Sequence, residues 1–245
     1  MMADGAQRPG AARLRAAFFD LGNTLVEARP GEDHWRPVVL ARIEHAFGAL
    51  PWAPSLYAAD IRRPPADDPR RQDTNRWISE WLRDHGEVWP ESEVERLRIA
   101  FASPLPDAFT LAPGAKESLR WCRANGLAVA VLTNTITRGD DEVWRDCRRL
   151  GLDGLVDEVL SSYSTGWTKP HPAMFERALT AVGVSAGGAF MVGDQLGEDV
   201  LGARRAGLRA VWKRRRPADD PSAPIDADAV IDSLVELPQI ARGWL

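Results

Sequence analysis

From residue 113 onward, short apolar runs alternate with stretches of helical period. "LAVAVLTN" (127–134), "GAFMVGD" (188–194) and "LRAVWK" (208–213) are almost uninterrupted apolar runs that end in polar residues. "LVDEVLSS" (155–162) and "ADAVID" (227–232) read as weaker strands. Between them lie helical stretches at 113–126, 140–150, 171–183 and 196–207, several closed by glycine, a common helix stop. An earlier run, "RAAFFD" (15–20), reads as one more buried strand. Near-continuous apolar strands separated by helices predict a parallel sheet covered on both faces.

Residues 27–111 have a different rhythm. Proline-rich breaks ("PWAPS", "RRPPADDP", "SPLP") separate helical stretches at 34–49, 73–85 and 91–101, and no strand is evident. The predicted architecture is therefore α/β: a Rossmann-like, doubly wound core from residues 1–26 and 112–245, with a small all-helical domain, 27–111, inserted after the first strand.

Composition narrows the class. The chain has 245 residues, 44% apolar and 27% charged, with a net charge of −4. That balance gives no global footprint for nucleic acid. No stretch approaches the ~20 apolar residues of a membrane helix. The N-terminal leader lacks an apolar signal core. Cys122 and Cys147 lack metal-ligand spacing and read as packing residues in a reducing cytoplasm. Lysine stands only at 116, 169 and 213, so each lysine carries more information than usual. The basic run Lys213–Arg216 reads as a solvated strand end. Tryptophans 35, 52, 77, 81 and 89 read as the small domain's own core. A monomer and a homodimer are both compatible with this chain.

In open parallel sheets, ligands gather outside the carboxyl ends of the strands. Asp20, Thr133 and Asp194 each stand at that end of a predicted strand. Lys169 precedes a helix in "TKPHP", and Asp199 follows Asp194 in "GDQLGED". An ionised carboxylate costs several kcal/mol to bury unless it is paired or ligates a cation. Carboxylates with carbonyls and water suit Mg²⁺. A free carboxylate beside such an ion is a competent nucleophile toward phosphorus, and a lysine and a hydroxyl can hold phosphoryl oxygens.

The segments "FFDLGNTL", "VLTN", "KPHPAMF" and "VGDQLGED" resemble, in order and spacing, the four motifs of the haloacid dehalogenase superfamily. The insert resembles that family's helical cap, which closes over small substrates. The resemblance implies that Asp20 is the nucleophile of an aspartyl-phosphate. It implies that Thr133 and the Asn134 amide bind the phosphoryl group, and that Lys169 neutralises nucleophile and phosphate. It also implies Mg²⁺ held by Asp20, the Gly22 carbonyl and Asp194, with Asp199 ligating the ion or orienting its water. Thr24 would buttress the loop, and the substrate would be a small phosphorylated metabolite.

One departure matters. Phosphatases of the family usually carry Asp two residues after the nucleophile, where it acts as general acid and base; this chain has Gly22. Such help is typically worth about 10²–10⁴-fold in rate. Four readings follow. A dehalogenase needs no acid, but the acidic pair in "GDQLGED" argues against it. A phosphonatase needs a cap lysine, and residues 27–111 contain none. A phosphatase can take its acid–base group from elsewhere, with Glu27 and His34 the nearest candidates. A catalytically silent phospholigand-binding module needs none.

Overall fold

The computed structural model describes residues 13–59, 73–135, 137–215 and 226–245. The N-terminal leader, the "RRPPADDP" break and Arg216 lie outside them. In chain order, β1 (Ala16–Phe19) and the two-residue β2 (Val26–Glu27) lead into α1 (Trp35–Phe47), α2 (Ala53–Ala59), α3 (Thr74–Asp84) and α4 (Glu91–Phe101). The chain returns through β3 (Thr110–Leu111) to α5 (Ala115–Ala124), β4 (Ala128–Thr133), α6 (Asp140–Arg149), β5 (Glu158–Ser161), α7 (Ser162–Thr165) and α8 (Pro172–Val182). It finishes with β6 (Ala189–Gly193), α9 (Leu201–Arg205), β7 (Arg209–Lys213), β8 (Ala229–Ile231) and α10 (Leu237–Arg242).

Six strands pair in parallel in the order β5-β4-β1-β6-β7-β8. β1 is central, with Phe19 level with Val131 on one side and Val192 on the other. Its side chains alternate between two cores: Ala17 and Phe19 pack with α5, α6 and α10, and Ala16 and Phe18 pack with α8 and α9. All four are fully buried, which is why the strand reads as an unbroken apolar run. Each buried Phe contributes about 1.5–3 kcal/mol of apolar transfer. The chain leaves β1 toward β4 on one side and returns to β6 on the other. Asp20, the next residue, therefore sits at the topological switch point of the sheet.

The helices of the insert enclose a third apolar cluster around Ile43, Leu56, Ile78, Leu82 and Leu97. Trp52, Trp77, Trp81 and Trp89 pack against it, as expected from the sequence. Trp35 does not: it packs on the core domain's cluster and on Phe109, ring centroids 5.8 Å apart. Strands are present where none was expected. β2 and β3 pair antiparallel, Val26 opposite Leu111, and form a ribbon through which both connections to the insert pass. Two-residue strands joined across a domain leave no periodic signal. α2, inside a proline-rich break, and the terminal α10 were likewise not anticipated. The expected helix at 196–207 opens as a π-turn over Leu196–Val200 before α9 begins.

Candidate active site

The strand ends deliver their polar groups to one place. Lys169, 1% exposed, donates from Nζ to Asp20 Oδ1 (2.7 Å), Asp199 Oδ1 (2.7 Å) and the Leu132 carbonyl (2.8 Å). Three donors on one ammonium meet three acceptors from three distant segments. Burial alone would lower this lysine's pKa, but Asp199 and Asp20 more than offset it and the net shift is upward. The ammonium is therefore permanent at neutral pH. Asp20 is pushed up to about 7, chiefly by burial, with Lys169 pulling the other way. Burial also raises Asp194.

Local backbone explains how each group is held. After Asp20, the amides of Leu25 and Val26 both donate to the Leu21 carbonyl, folding "LGNT" into a tight loop. Asn23 takes φ 55° there, a left-handed conformation that Asn tolerates better than most residues. Thr24 is fully buried, and its hydroxyl has no hydrogen-bond partner, so it supports this loop by packing. Asn134 cross-links two motifs: its Oδ1 accepts the Lys169 amide (2.8 Å), and its Nδ2 donates to the Lys169 carbonyl (3.0 Å) and to Glu198 (2.7 Å). Asp199 folds back over Gly193, where a Cβ would lie 2.2 Å from the Asp199 carboxyl carbon. Its second oxygen accepts the Gln195 amide at 3.0 Å.

Asp20, Asp194 and Asp199 each bring an oxygen within 4.8 Å of the others. Among the described residues Asp194 Oδ1 is buried without a hydrogen-bond partner, while Oδ2 accepts Arg215 Nε. A buried anionic oxygen with no donor is costly unless a cation sits against it. The donor set thus fits a hard divalent ion.

Beside these groups opens a cavity of about 730 Å³, walled on the sheet side by Leu21, Gly22, Thr133 and Asn134. A cavity of this size suits a small ligand. The insert supplies Trp35, Val39 and Tyr57, and the linker returning from it supplies Phe109. The insert is latched onto the core by Arg98 of α4. This residue donates to the Thr137 carbonyl (2.7 Å) and lies 4.8 Å from the Tyr163 ring centroid.

Both acid–base candidates line the cavity, but both are engaged. Glu27 faces Lys213 Nζ at 3.4 Å. His34 Nε2 bonds the Arg29 carbonyl (3.1 Å), and Nδ1 lies 3.6 Å from Glu32. At Gly22, a Cβ would meet no atom of the described residues within 4 Å. The space that a second carboxyl side chain would enter is open.

The haloacid dehalogenase-like hydrolase model matches residues 14–207, most of the chain and all four motifs. The chain belongs to this family. Among curated relatives, a ribulose-1,5-bisphosphate 5-phosphatase of Halopiger xanaduensis is 29% identical over 91% of this chain and 97% of its own length. A glyceraldehyde 3-phosphate phosphatase of Pyrococcus furiosus is 38% identical over 41% of this chain and 40% of its own. A phosphoserine phosphatase of Thermus thermophilus is 42% identical over 47% and 46%. The latter two are thus matched over less than half their length. Among solved structures, a 2-haloacid dehalogenase from Pseudomonas syringae superposes with TM-score 0.67 at 25% identity, covering 95% of this chain and all of its own. A haloacid dehalogenase-family phosphatase from Thermococcus onnurineus follows with 0.61 at 24%, covering 94% and 99%.

Sequence reasoning read the basic run at 213–216 as solvated, which holds for Arg215, whose side chain is 51% exposed, but not for Lys213. Lys213 is 4% exposed, and its Nζ donates to the Asn23 carbonyl at 2.9 Å. Arg214 is paired with Asp232, and Arg215 with Asp194. Strand alternation at the end of β7 turns residues 213 and 215 toward the cavity. The scarcity of lysine was the available clue. Arg98 showed only its local partner Glu95, because the contacts that latch the insert, Thr137 and Tyr163, lie far away in sequence.

Proposed function

We propose that this hydrolase is a Mg²⁺-dependent phosphatase of small phosphorylated metabolites, acting through an aspartyl-phosphate on Asp20. The observation that carries the reading is the junction at Lys169. One buried ammonium bridges two carboxylates, and a third carboxylate beside them keeps an unpartnered oxygen. The relatives named above are phosphatases of a sugar bisphosphate, a triose phosphate and an amino-acid phosphate, which supports small phosphate esters as the substrate class.

A divalent cation here would neutralise charge between the attacking carboxylate and the phosphoryl oxygens. Asp20, Asp194 and the Gly22 carbonyl would hold it. Asp199, with both oxygens engaged, would orient its water. Asp20 attacks phosphorus in line while Lys169 fixes its other oxygen, and the ester P–O bond breaks. The Thr133 hydroxyl and the Asn134 backbone amide would hold the phosphoryl oxygens, and the Lys169 ammonium, its three donors already engaged, would supply positive charge beside them. Water then attacks phosphorus, releases inorganic phosphate and frees Asp20. Glu27 and His34 are engaged elsewhere, and Gly22 offers no side chain. We therefore assign the leaving-group proton to cavity water.

The test is release of phosphate from p-nitrophenyl phosphate and a metabolite panel, with Mg²⁺ or with chelator, beside Asp20→Asn. Chelator-sensitive turnover, reduced ~10⁴-fold or more in Asp20→Asn, is expected for loss of a nucleophile. Metal-dependent binding without release would make the site a silent binding module. Halide release from 2-chloropropionate, unaffected by chelator, would make it a dehalogenase.

A further inference from the structure

The hydrolytic chemistry leaves the arginines on the cavity wall, Arg29, Arg138 and Arg215, unused, and of these Arg215 is the one bonded to the acidic cluster. Arg215 stands two residues past the end of β7. Its Nε donates to Asp194 Oδ2, and 51% of the side chain stays exposed. Among the described residues its two terminal nitrogens have no hydrogen-bond partner. Lys213, on the same wall, is buried and committed to Asn23 and Glu27. Of the two cations that this strand end brings to the cavity, one ties down the loop after β1 and the start of the β2–β3 ribbon, and the other keeps an open edge.

A guanidinium that only neutralised Asp194 would gain most from a two-pronged contact, because paired parallel bonds are the strong geometry. Arg215 uses a single N–H instead. The outer pair of nitrogens is left in the fork arrangement that matches a carboxylate or a phosphate. That fork is already oriented. Asp194 follows β6, and its carbonyl accepts Trp212 Nε1 (2.9 Å) from the neighbouring β7. Both partners of the Arg215–Asp194 pair thus rest on adjacent, hydrogen-bonded strands. An arginine pinned in this way loses little further freedom on binding an anion. The same cavity is walled by Gly22, Thr133 and Asn134, so one small molecule can touch the reaction centre and Arg215 together.

We propose that Arg215 anchors a second anionic group, a carboxylate or phosphate, on the leaving portion of the substrate. The preferred substrates are then phosphate monoesters that carry another anion. This rests on the phosphatase reading of the same site.

The experiment compares matched pairs of esters: glycerol 3-phosphate against 3-phosphoglycerate for a carboxylate, and fructose 6-phosphate against fructose 1,6-bisphosphate for a phosphate. The wild-type enzyme is expected to favour the doubly anionic member of at least one pair by tenfold or more in kcat/KM. Arg215→Met is expected to collapse that ratio, mainly through KM, and Arg215→Lys to restore only part of it. The pair that responds identifies the anion. A wild-type ratio near one in both pairs overturns the proposal. So does an equal loss on both members in Arg215→Met, since that is what a role confined to holding Asp194 produces. If no ester is hydrolysed, the phosphatase reading fails. The same pairs are then titrated as ligands into Asp20→Asn and Asp20→Asn/Arg215→Met with Mg²⁺. An Arg215-dependent preference for the doubly anionic member sustains the anchor, and its absence overturns it.

Discussion

The strand-end wall of the cavity and the wall that faces it from the insert hold their polar groups in different ways. On the strand-end side, Lys169, Asp20, Asp199 and Asn134 bond one another at 2.7–3.0 Å across segments far apart in sequence. Every one of those segments is a strand end or the entry to a helix packed on the sheet. On the insert side, His34, Glu27 and Tyr57 bond to partners that are mostly local, such as Glu32, Arg29 and Asp33, or at the end of β7, Lys213. The first wall has the geometry of a reaction centre, fixed before any ligand arrives. The second offers aromatic surface that faces the open space at Gly22 across the cavity, the geometry of a leaving-group pocket. The interlocked polar groups and the aromatic surface thus come from separate parts of the chain.

The largest way to break this contrast is at the centre of the rigid wall. Lys169→Met leaves Asp20 and Asp199 facing each other without their shared cation. Removing one partner of a buried charge pair typically costs about 3–5 kcal/mol. The variant is expected to lose phosphatase activity and to melt well below the wild type, with divalent cations recovering part of the lost stability. Thermal unfolding with and without Mg²⁺ measures this. An unchanged melting temperature in chelator would mean that the ammonium does not hold the wall together.

The contrast sharpens when the missing group is supplied. Gly22 is outside the left-handed region, and a Cβ there meets no atom within 4 Å. Gly22→Asp should therefore fold without strain and place a carboxyl beside Asp20. If leaving-group protonation limits turnover, kcat rises toward the ~10²–10⁴-fold that general acid–base help supplies. The gain should be greatest for alkyl phosphates and least for aryl phosphates, whose leaving oxygens need little protonation. An equal gain for both classes would show that protonation is not what the open space lacks.

Much of the rigid wall was legible in the sequence, for a physical reason. A strand buried on both faces must be apolar throughout, so the first charged residue after "AAFF" marks the rim. Lys169 stood out because lysine is scarce and because Pro170 and Pro172 locate a helix entry. Gly193 is explained by the carboxylate that folds over it, although that reason emerges only in three dimensions. The insert wall was far less legible. Glu27 meets Lys213 across nearly the whole chain, and β2 meets β3 across the insert. Pairing over such distances leaves no local period. Trp35 looked like its neighbours in composition, but it faces the core rather than the small domain.

The two regions should also respond to pH with opposite sign, a smaller effect but a clean one. Asp20 is pushed up from 3.8 to about 7 by burial, against the pull of Lys169. A carboxyl raised in the folded state binds protons there that the unfolded chain has released. Its contribution to stability is full below about pH 4 and is lost as pH rises toward 7. Asp20→Asn has no such titration. In chelator, its melting temperature relative to wild type should climb by several degrees between pH 4 and 7 and level off above. Mg²⁺ should shrink that plateau, because a bound cation favours the ionised carboxylate. On the insert, Glu95 is held below 4.5 by its hydrogen bonds from Arg98, the residue that latches α4 to Thr137. Its contribution is present above pH 4.5 and lost as pH falls. Glu95→Gln should therefore be destabilising near neutrality and approach wild type in acid, by less than the Asp20 effect because the pair is partly solvated. Two differences that slope the same way would mean that the walls are not held by opposite electrostatics.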